Sequence, residues 1–433
     1  RMKLGKVLVL LLIVATPFLF ASESESAGPK PVTLRMMSWQ NPATTEAVEE
    51  INNRFMEKYP HITVEFTISP SDVYNDQERP ARVQAEDVDI WADQGFAFKV
   101  QEYHTGVELA QQYQFIEAGL VEPLDGNAFM DRYEAGAVKS AMTYNGKIYG
   151  VCVGSVVFSG VFYNKTLFAE LGIEVPRTYD ALLDVCETIK ASGVAPFTAA
   201  GGAGWPIGMM IHSFIGPNYG DSQAFEKELW TGGAGWANPK ILKAYERYQN
   251  LLLNYYEEGF QSLDYNPHIG RFVNGYAAML PDGVWQATAI ANTIADSSSN
   301  IEFGYMPFPT GDTAADNAAY WGKFDLMWQV HAMSENKEEA ILWLDFFSEK
   351  ENYQYFIEKV GWIPTQPDAQ VTDPVIKEIL AMPIKEAFER VHVNREGQGQ
   401  YAGAPADRMA PMGEVETAAE LLQLAKADWD AVA

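Results

Sequence analysis

The stretch VTLRMMSWQNPATTEAVEEINNRFMEKYPHITVEFTIS, residues 32–69, carries the pattern that decides the fold. Its beginning and its end alternate apolar and polar side chains, which predicts two half-buried strands. Between them lies an amphipathic helix with Val48 and Ile51 on its apolar face, and Thr44 or Thr45 would cap it. A strand, a helix and a strand within about 35 residues form a βαβ unit, which predicts a parallel sheet with a right-handed crossover.

Polar and aromatic side chains follow the strands of this unit. Trp39 and Gln40 follow the first strand, and Asp93 and Gln94 follow a third predicted strand at Val88–Trp91. Ligands of open α/β sheets bind beyond the carboxyl ends of the strands, so these four residues are candidates for ligand binding. The alternative for each is a loop residue whose polar groups are satisfied by neighbouring backbone amides.

The rest of the chain continues to mix helices and strands. The further predicted elements are a strand-rich stretch from Lys147 with an apolar run at Val156–Tyr163, helices at Thr178–Ser192, Asn238–Glu258, Lys337–Ser348 and Glu414–Trp429, and strands at Ala277–Leu280, Ile301–Met306 and Leu326–Val330. A chain of 433 residues suits two lobes with their own cores. No linker is long enough to separate independent domains, so we expect more than one strand to join the lobes.

The charge of the chain is strongly acidic. Lys and Arg number 31 against 58 Asp and Glu, for a net charge of -27. Long-range repulsion therefore excludes nucleic acid and an anionic membrane face as partners, and it disfavours a polyanionic ligand. The acidity itself fits either the solubility of an exported protein or adaptation to high salt.

Aromatic residues make up 13% of the sequence, with 11 Trp among them. Sugar rings present apolar faces that dock on indole rings and polar edges that need hydrogen bonds, so half-exposed Trp residues near carboxylates and amides are typical of a sugar site. The Trp residues within predicted strands and helix faces, which we assign to the core, are Trp91, Trp328 and Trp343. The Trp residues in Gly- or Pro-flanked loops, which are candidates for ring stacking, are Trp39, Trp205, Trp285 and Trp321.

Residues 1–21 have the pattern of an export signal, with a cationic start, an apolar run at Val7–Ala15 and a small residue at the end. We therefore expect a periplasmic or extracellular protein. Lipid attachment would need a cysteine at the cleavage point, and the cysteine nearest to that point is Cys152. For Cys152 and Cys186 we favour two buried thiols over a disulfide, because each lies in an apolar element.

The sequence lacks the motifs of a nucleophile elbow, a P-loop and a zinc protease. No pair of histidines has the spacing of helical metal ligands; the six are His61, His104, His212, His268, His331 and His392. We therefore predict no catalytic residues, no metal and no cofactor. Carboxylates are plentiful, so a glycosidase acid pair stays open as an alternative.

Three stretches resemble a known family: Tyr144–Phe197 with YNGKIYGV and FYNKTLFAELGIEVPRTYDALLDVCETIKASGVAPF, Ala277–Trp285 with AAMLPDGVW, and Ser334–Thr365 with SENKEEAILWLDFFSEKENYQYFIEKVGWIPT. They are similar to family 1 of the extracellular solute-binding proteins of carbohydrate ABC importers, the broad group that includes maltose-binding protein. The similarity runs from about Val32 to Ala427. It implies an α/β, two-lobed periplasmic-binding-protein fold, in which each lobe is a mainly parallel sheet flanked by helices and hinge strands join the lobes.

On this resemblance we divide the chain into a signal peptide at 1–21, an N-terminal tail at 22–31, a first lobe at 32–156 and 302–348, and a second lobe at 157–301 and 349–433. The implied function is to bind a sugar or oligosaccharide between the lobes by hinge closure and to deliver it to a membrane permease, as a monomer and without catalysis. The alternatives are a non-sugar solute such as a polyamine, phosphate ester or peptide, and a secreted glycosidase. The implied ligand-binding residues are Trp39, Gln40, Asp93, Gln94, Trp205, Asp282, Trp285, Trp321 and Gly322.

Overall fold

The computed structural model describes residues 29–96, 100–386 and 393–433. The predicted signal peptide and most of the predicted tail lie outside the described residues. The strands are β1 (Val32–Trp39), β2 (Ile62–Ser69), β3 (Ile90–Asp93), β4 (Thr143–Tyr144), β5 (Lys147–Ile148), β6 (Val151–Val157), β7 (Gly160–Asn164), β8 (Ala195–Phe197), β9 (Ala277–Pro281), β10 (Phe303–Pro307), β11 (Tyr320–Val330), β12 (Ile363–Pro364) and β13 (Ile384–Glu386).

Helices flank these strands along the whole described chain. They begin with α1 (Pro42–Lys58), α2 (Ser71–Val73), α3 (Arg79–Gln84), α4 (Gln111–Glu117), α5 (Ala135–Ala137), α6 (Lys165–Leu171), α7 (Tyr179–Ala191), α8 (Trp205–Met210) and α9 (His212–Tyr219). They continue with α10 (Ser222–Trp230), α11 (Pro239–Asn254), α12 (Pro267–Val273), α13 (Ala287–Asp296), α14 (Lys337–Phe347), α15 (Lys350–Val360), α16 (Pro374–Leu380) and α17 (Ala418–Asp430). None of the helices in the described part of the chain has the length and apolar character needed to cross a membrane.

The first lobe is built on the larger sheet, in which the strands follow the order β12-β6-β11-β3-β1-β2 and β13 pairs with β11. The predicted βαβ unit is present, because β1 and β2 pair in parallel from Val32 opposite Ile62 to Trp39 opposite Ser69. β3 lies parallel to β1 on its other side. The carboxyl ends of β1, β2 and β3 therefore meet at one edge of the sheet.

The second lobe contains a four-stranded sheet in the order β10-β7-β9-β8. The two-lobed α/β fold is thus confirmed, but the sheets are more mixed than expected. Among the second-lobe strands that the structure describes, β8 and β9 pair in parallel, and β7 is antiparallel to both of its neighbours. In the first lobe β11 runs antiparallel to β3 and β6.

The strand pairing differs from the predicted lobe boundaries in two places. Residues 303–307 form β10 in the second-lobe sheet, although we had assigned 302–348 to the first lobe. Helix α15 packs on α1, and β12 pairs with β6, so residues 350–364 stay with the first lobe, whereas α17 packs on α11 in the second lobe. Within the described ranges the chain passes between the two sheets from β6 to β7 and from β10 to β11. Strands far apart in the sequence thus join the lobes.

The helix caps were predicted with mixed success. The cap of α1 is Asn41, three residues before Thr44: its side chain accepts a hydrogen bond from the backbone N of Thr44 at 3.1 Å, and Pro42 occupies the first turn. The prediction of Thr44 or Thr45 was wrong because Asn followed by Pro is the stronger start signal. Thr178 caps α7 as predicted, and Asn238 caps α11.

The three Trp residues assigned to the core are fully buried, which confirms that prediction. The rings of Trp328 and Trp343 meet edge to face at 5.5 Å, and Trp343 donates a hydrogen bond to Asn52. Cys152 and Cys186 are both buried and form no disulfide, as we expected.

Candidate functional site

A cleft of about 820 Å³ lies between the two lobes. The first lobe lines it with Trp39, Gln40, Asn41, Pro70, Ser71, Asp72, Asn75, Gln94, Lys323, Asp325 and Trp362. The second lobe lines it with Gly202, Ala203, Trp205, Gly208, Met209, His212, Asp264, Tyr265, Asn266 and Trp285. Its volume is in the range of sites that bury a small ligand, roughly 300–1,000 Å³.

The first-lobe wall is formed where the parallel strands end. Trp39 and Gln40 come at the end of β1, Ser71 follows β2 and Gln94 follows β3. The backbone N of Gln40 donates to the carbonyl of Ser69 at 2.8 Å, which holds the first two strand ends together. The structure therefore brings Trp39, Gln40 and Gln94 into the same cleft, at the position expected from parallel strands.

Trp39 is supported from behind by Tyr74. The two rings meet edge to face at 5.8 Å, and the buried Tyr74 hydroxyl donates to the carbonyl of Ala92 at 2.6 Å. Tyr74 begins a π-helical turn, residues 74–78, that joins α2 to α3 and also places Asn75 on the cleft wall. Such turns are frequent at functional sites because they re-aim side chains within a helix.

Asp93 does not line the cleft, in contrast to its predicted role. Its side chain is 3% exposed and forms an ion pair with Arg79 at 2.7 Å. It also accepts the backbone N–H of Gln94 at 2.8 Å, and the amide of Gln112, in its favourable orientation, donates to it at 3.1 Å. Asp93 thus fixes the loop that presents Gln94 to the cleft.

An aromatic cluster forms the second-lobe wall. The ring of Trp205 lies 4.7 Å from Tyr265 and 6.4 Å from Trp285, between centroids. The indole Nε1 of Trp285 donates to the hydroxyl of Tyr265 at 2.7 Å. Trp205 and Tyr265 remain partly exposed, and Trp285 is 8% exposed. Rings held in this way offer fixed apolar faces to a ligand.

Asp282 lies behind this cluster and outside the cleft lining. It is 1% exposed, and its carboxylate accepts from the Tyr265 hydroxyl at 3.2 Å, bonds His268 Nε2 at 2.9 Å and accepts the backbone N–H of Gly283 at 2.7 Å. The carboxylate of Asp282 therefore lies behind the cleft wall, where it holds the hydroxyl of Tyr265 that accepts from Trp285. Burial raises the pKa of Tyr265, and the nearby Asp282 carboxylate raises it further, which keeps the hydroxyl protonated.

Charged side chains also reach the cleft. Lys323 and Asp325 are neighbours on one face of β11 and are 9% and 8% exposed, whereas Asp72 and Asp264 are solvent-exposed. An Oδ1 atom of Asp325 accepts the backbone N–H of Leu326 at 3.0 Å, and Leu326 has a φ of 46°. A bulky residue in the left-handed region is strained, so the backbone is distorted where Asp325 faces the cleft.

Two predicted residues lie elsewhere. Trp321 is 4% exposed; its ring packs on Gly216 and lies 5.4 Å below the ammonium of Lys385. Gly322 packs against Val156 inside the sheet. We therefore leave both out of the proposed site.

Several cleft residues were missed by sequence reasoning. Trp362 stands in the Gly-x-x-Pro turn that the resemblance included, and its position after Gly361 was an available signal. Tyr265 had a weaker sequence signal, which is its position directly before the Asn-Pro pair at a helix start. Lys323 and Asp325 gave no signal, because nothing local distinguishes them from other charged strand residues. No group of three possible metal ligands occurs within the described ranges.

Two α/β lobes around a cleft of aromatic, amide and carboxylate side chains define a solute-binding protein. The chain belongs to the family of bacterial extracellular solute-binding proteins, whose model matches residues 39–354. Fold and family therefore agree with the resemblance seen in the sequence.

Curated relatives include the multiple sugar-binding protein of Streptococcus mutans, 29% identical over 52% of this chain and 53% of the relative. The xylose/arabinose-binding protein XacG of Haloferax volcanii is 26% identical over 60% of this chain and 54% of the relative. Each of these matches thus spans about half of the relative's length. The solved structure of RafE in complex with raffinose superposes with a TM-score of 0.75 at 21% identity, and it covers 92% of this chain and 99% of that one. This last similarity establishes the fold.

Proposed function

We propose that this protein is the extracytoplasmic binding component of an ABC importer, which binds a neutral sugar or oligosaccharide in the interlobe cleft and delivers it to a membrane permease. The observation that carries the proposal is the distribution of aromatic rings in the cleft. Trp39 and Trp362 come from the first lobe, and Trp205, Tyr265 and Trp285 come from the second. A sugar ring placed between them would contact an apolar surface on each side.

The polar groups of the cleft suit sugar hydroxyl groups. Gln40, Asn41 and Gln94 supply amides, which both donate and accept hydrogen bonds, and Asp325 supplies a carboxylate acceptor. Each sugar hydroxyl group can likewise both donate and accept a hydrogen bond. The names of the curated relatives, a multiple sugar-binding protein and a xylose/arabinose-binding protein, support the same ligand class.

The charges of the cleft disfavour an anionic ligand. Asp72, Asp264 and Asp325 face the cleft together with one cationic residue among the lining groups, Lys323. A phosphate ester would meet a net negative site. This balance supports a neutral ligand and leaves a polyamine as the rival that an experiment must exclude.

The proposed mechanism is closure of the two lobes about the crossing segments. A ligand that first contacts one wall gains the opposing aromatic contacts only when the lobes approach, so binding energy favours the closed arrangement. The closed protein would then be what the permease recognises. We further propose that the protein acts as a monomer, outside the cytoplasmic membrane, and without catalysis.

A thermal-shift screen over neutral sugars, polyamines and short peptides tests the ligand class. A ligand present at about 100 times its dissociation constant stabilises the fold by roughly 2.7 kcal/mol, so the melting temperature rises measurably. We expect a rise with at least one neutral sugar and none with spermidine. A rise with spermidine alone would contradict the sugar assignment, and release of reducing sugar from an oligosaccharide would favour the glycosidase alternative.

A further inference from the structure

Residues 100–109 lie between β3 and α4 and form a loop that leaves the first lobe and returns to it. Phe96 precedes this loop and Tyr113 follows it, and their rings pack together with centroids 5.3 Å apart. The backbone N of Phe96 also donates to the carbonyl of Ala141 at 2.8 Å. Both ends of the loop are therefore fixed at one place in the first lobe. We call residues 100–109 the arm.

The middle of the arm docks on the second lobe through His104. This side chain is buried, at 6% exposed, whereas the next residue, Thr105, is exposed. The ring of His104 meets the ring of Trp230 in α10 edge to face at 4.9 Å. Its Nε2 atom lies 3.1 Å from Oε1 of Glu226 in the same helix. A first-lobe side chain is thus buried against a second-lobe helix.

The orientation of His104 is set within the arm itself. Its Nδ1 atom accepts the backbone N–H of Gln101 at 2.8 Å. In a neutral imidazole the other nitrogen then carries the proton, so Nε2–H is the group that faces the Glu226 carboxylate. The arm therefore presents a ring of fixed orientation to α10.

The backbone of the arm pairs with the second lobe as well. The backbone N of Glu108 donates to the carbonyl of Asn394 at 3.0 Å, and the backbone N of Glu396 donates to the carbonyl of Gly106 at 2.9 Å. These two hydrogen bonds form a short antiparallel bridge. The arm is therefore held by main-chain and side-chain contacts together.

The surface that receives the arm is firmly packed. The guanidinium of Arg395 lies between the rings of Trp230 and Trp429, 4.6 and 4.2 Å from their centroids, and Arg395 is 4% exposed. The two indole rings meet edge to face at 5.0 Å. Helix α10, helix α17 and residues 394–396 thus form one body of the second lobe, to which the arm is attached.

We propose that the arm is a clasp, which links the two lobes in addition to the crossing segments and raises the affinity of the cleft for its ligand. Wide opening of the lobes would pull His104 off α10, so the docked arm restricts the arrangements of the ligand-free protein. Binding then starts from a larger fraction of competent molecules and loses less conformational freedom. His104 lies outside the cleft lining, so its effect on the ligand acts through the lobes.

Two pairs of variants separate the docking contacts from other changes in the arm. His104→Ala removes the ring that docks on α10, and Thr105→Ala is its exposed control. Glu108→Pro removes the N–H that donates to Asn394, and Glu108→Ala keeps it. Proline suits this position because the bridge is extended. The test compares the double variant His104→Ala/Glu108→Pro with the double control Thr105→Ala/Glu108→Ala.

A distance between the lobes is the first readout. Spin labels at Glu57→Cys in α1 and Thr188→Cys in α7 occupy one exposed position in each lobe, and the native cysteines, Cys152 and Cys186, are buried and so react poorly with the label. Double electron–electron resonance on the ligand-free protein should give a broader distance distribution in the double variant than in wild type. The double control should keep the wild-type width.

Ligand affinity is the second readout. Calorimetric titration with a ligand found in the thermal-shift screen should show roughly 3- to 10-fold weaker binding in the double variant and wild-type binding in the double control. Circular dichroism melts would show that both proteins fold. Faster amide hydrogen exchange at residues 101–108 would show that the arm has left α10.

The outcomes distinguish the clasp from the proposed function. Unchanged hydrogen exchange in the double variant would mean that these contacts do not hold the arm, and an unchanged distance distribution would mean that the arm does not restrain the lobes. Unchanged affinity would mean that the restraint does not serve binding. Each of these results overturns the clasp and leaves sugar binding intact. The distance measurement needs no ligand, so it stays decisive for the clasp even when no sugar binds and the proposed function fails.

Discussion

Trp285 and Asp282 lie three residues apart in the chain and contribute to the site in different ways. The ring of Trp285 reaches the cleft, whereas the carboxylate of Asp282 is buried behind it and acts through the hydroxyl of Tyr265. The sequence grouped both residues as ligand contacts because spacing alone cannot separate a side chain that faces the cleft from one that supports it.

Trp285→Ala should weaken sugar binding by roughly 1–3 kcal/mol, about 5- to 150-fold, because a ring-sized apolar face is lost from the cleft wall. Calorimetric titration with the sugar found in the screen measures this. Trp285→Phe is the matched control: it keeps an aromatic face and loses only the donation to Tyr265, so its affinity should fall between the two. Wild-type affinity in Trp285→Ala would refute the stacking role.

Asp282→Asn should weaken sugar binding by about 1 kcal/mol although the side chain lies outside the cleft lining. The amide cannot accept from both Tyr265 and His268 as the carboxylate does, so Tyr265 and Trp285 lose their fixed orientation. We expect the intrinsic fluorescence of the ligand-free protein to change together with the affinity. A lower affinity with unchanged fluorescence would instead indicate direct contact with the ligand.

Burial of Trp residues was predictable from the sequence only in part. The Trp residues predicted to lie in Gly- or Pro-flanked loops include Trp39, Trp205 and Trp285, and these three line the cleft, although Trp39 ends β1 and Trp205 begins α8. Trp321 has the same local signal, with Gly322 after it, but it lies in β11 between β6 and β13. Pairing with strands that are distant in the sequence decides its burial, and no local pattern reports such pairing.

At the scale of single elements, the start of α1 matters for both fold and site. Asn41 caps the helix and also lines the cleft. Asn41→Ala should lower the free energy of unfolding by about 1 kcal/mol, because a backbone N–H at the helix start loses its acceptor. Asn41→Ser keeps an acceptor and should stay near wild type. Urea denaturation measures both; equal stability of Asn41→Ala and Asn41→Ser would contradict the capping role.

The hydrogen bonds between Arg35 of β1 and Asp89, which precedes β3, should make the free energy of unfolding depend on pH. Asp89 is fully buried and accepts from the backbone N of Arg35 at 2.7 Å, from its guanidinium at 3.2 Å and from the Ser334 hydroxyl at 2.7 Å. Burial alone would raise the pKa of Asp89, but these hydrogen bonds lower it below its ordinary value. The stabilisation of the folded state by the Asp89 carboxylate is therefore fully present above about pH 4. It is lost as the pH falls through the lowered pKa of Asp89.

Asp89→Asn should cost about 2 kcal/mol of unfolding free energy at pH 7, since charge-assisted hydrogen bonds are lost. The difference from wild type should shrink as the pH falls below about 4, because the unfolded chain binds a proton there first and the folded protein follows only at the lowered pKa of Asp89. Asp87→Asn is the control, because Asp87 pairs with the same Arg35 at 2.7 Å but is 57% exposed, and surface pairs contribute little. Urea denaturation from pH 3 to 7 measures these differences; a pH-independent difference would contradict the assignment.

At the scale of the whole molecule, local patterns predicted the βαβ unit and the helices α7, α11, α14 and α17, and the overall resemblance predicted two lobes. The boundaries between the lobes could not be predicted as well from the sequence. β10 and β11 follow one another in the chain and look alike as strands, yet they belong to different sheets. Which sheet accepts a strand depends on the register and packing of distant segments, so the crossing points emerged only from the structure.

The central claim is that both lobes hold the ligand between their aromatic walls. The most direct test is one calorimetric titration of the cognate sugar into wild type, Trp39→Ala from the first lobe and Trp205→Ala from the second. We predict that each single variant binds at least about fivefold more weakly than wild type, since each removes one wall of the same site. Wild-type affinity in either variant would mean that the sugar does not lie between the lobes as proposed.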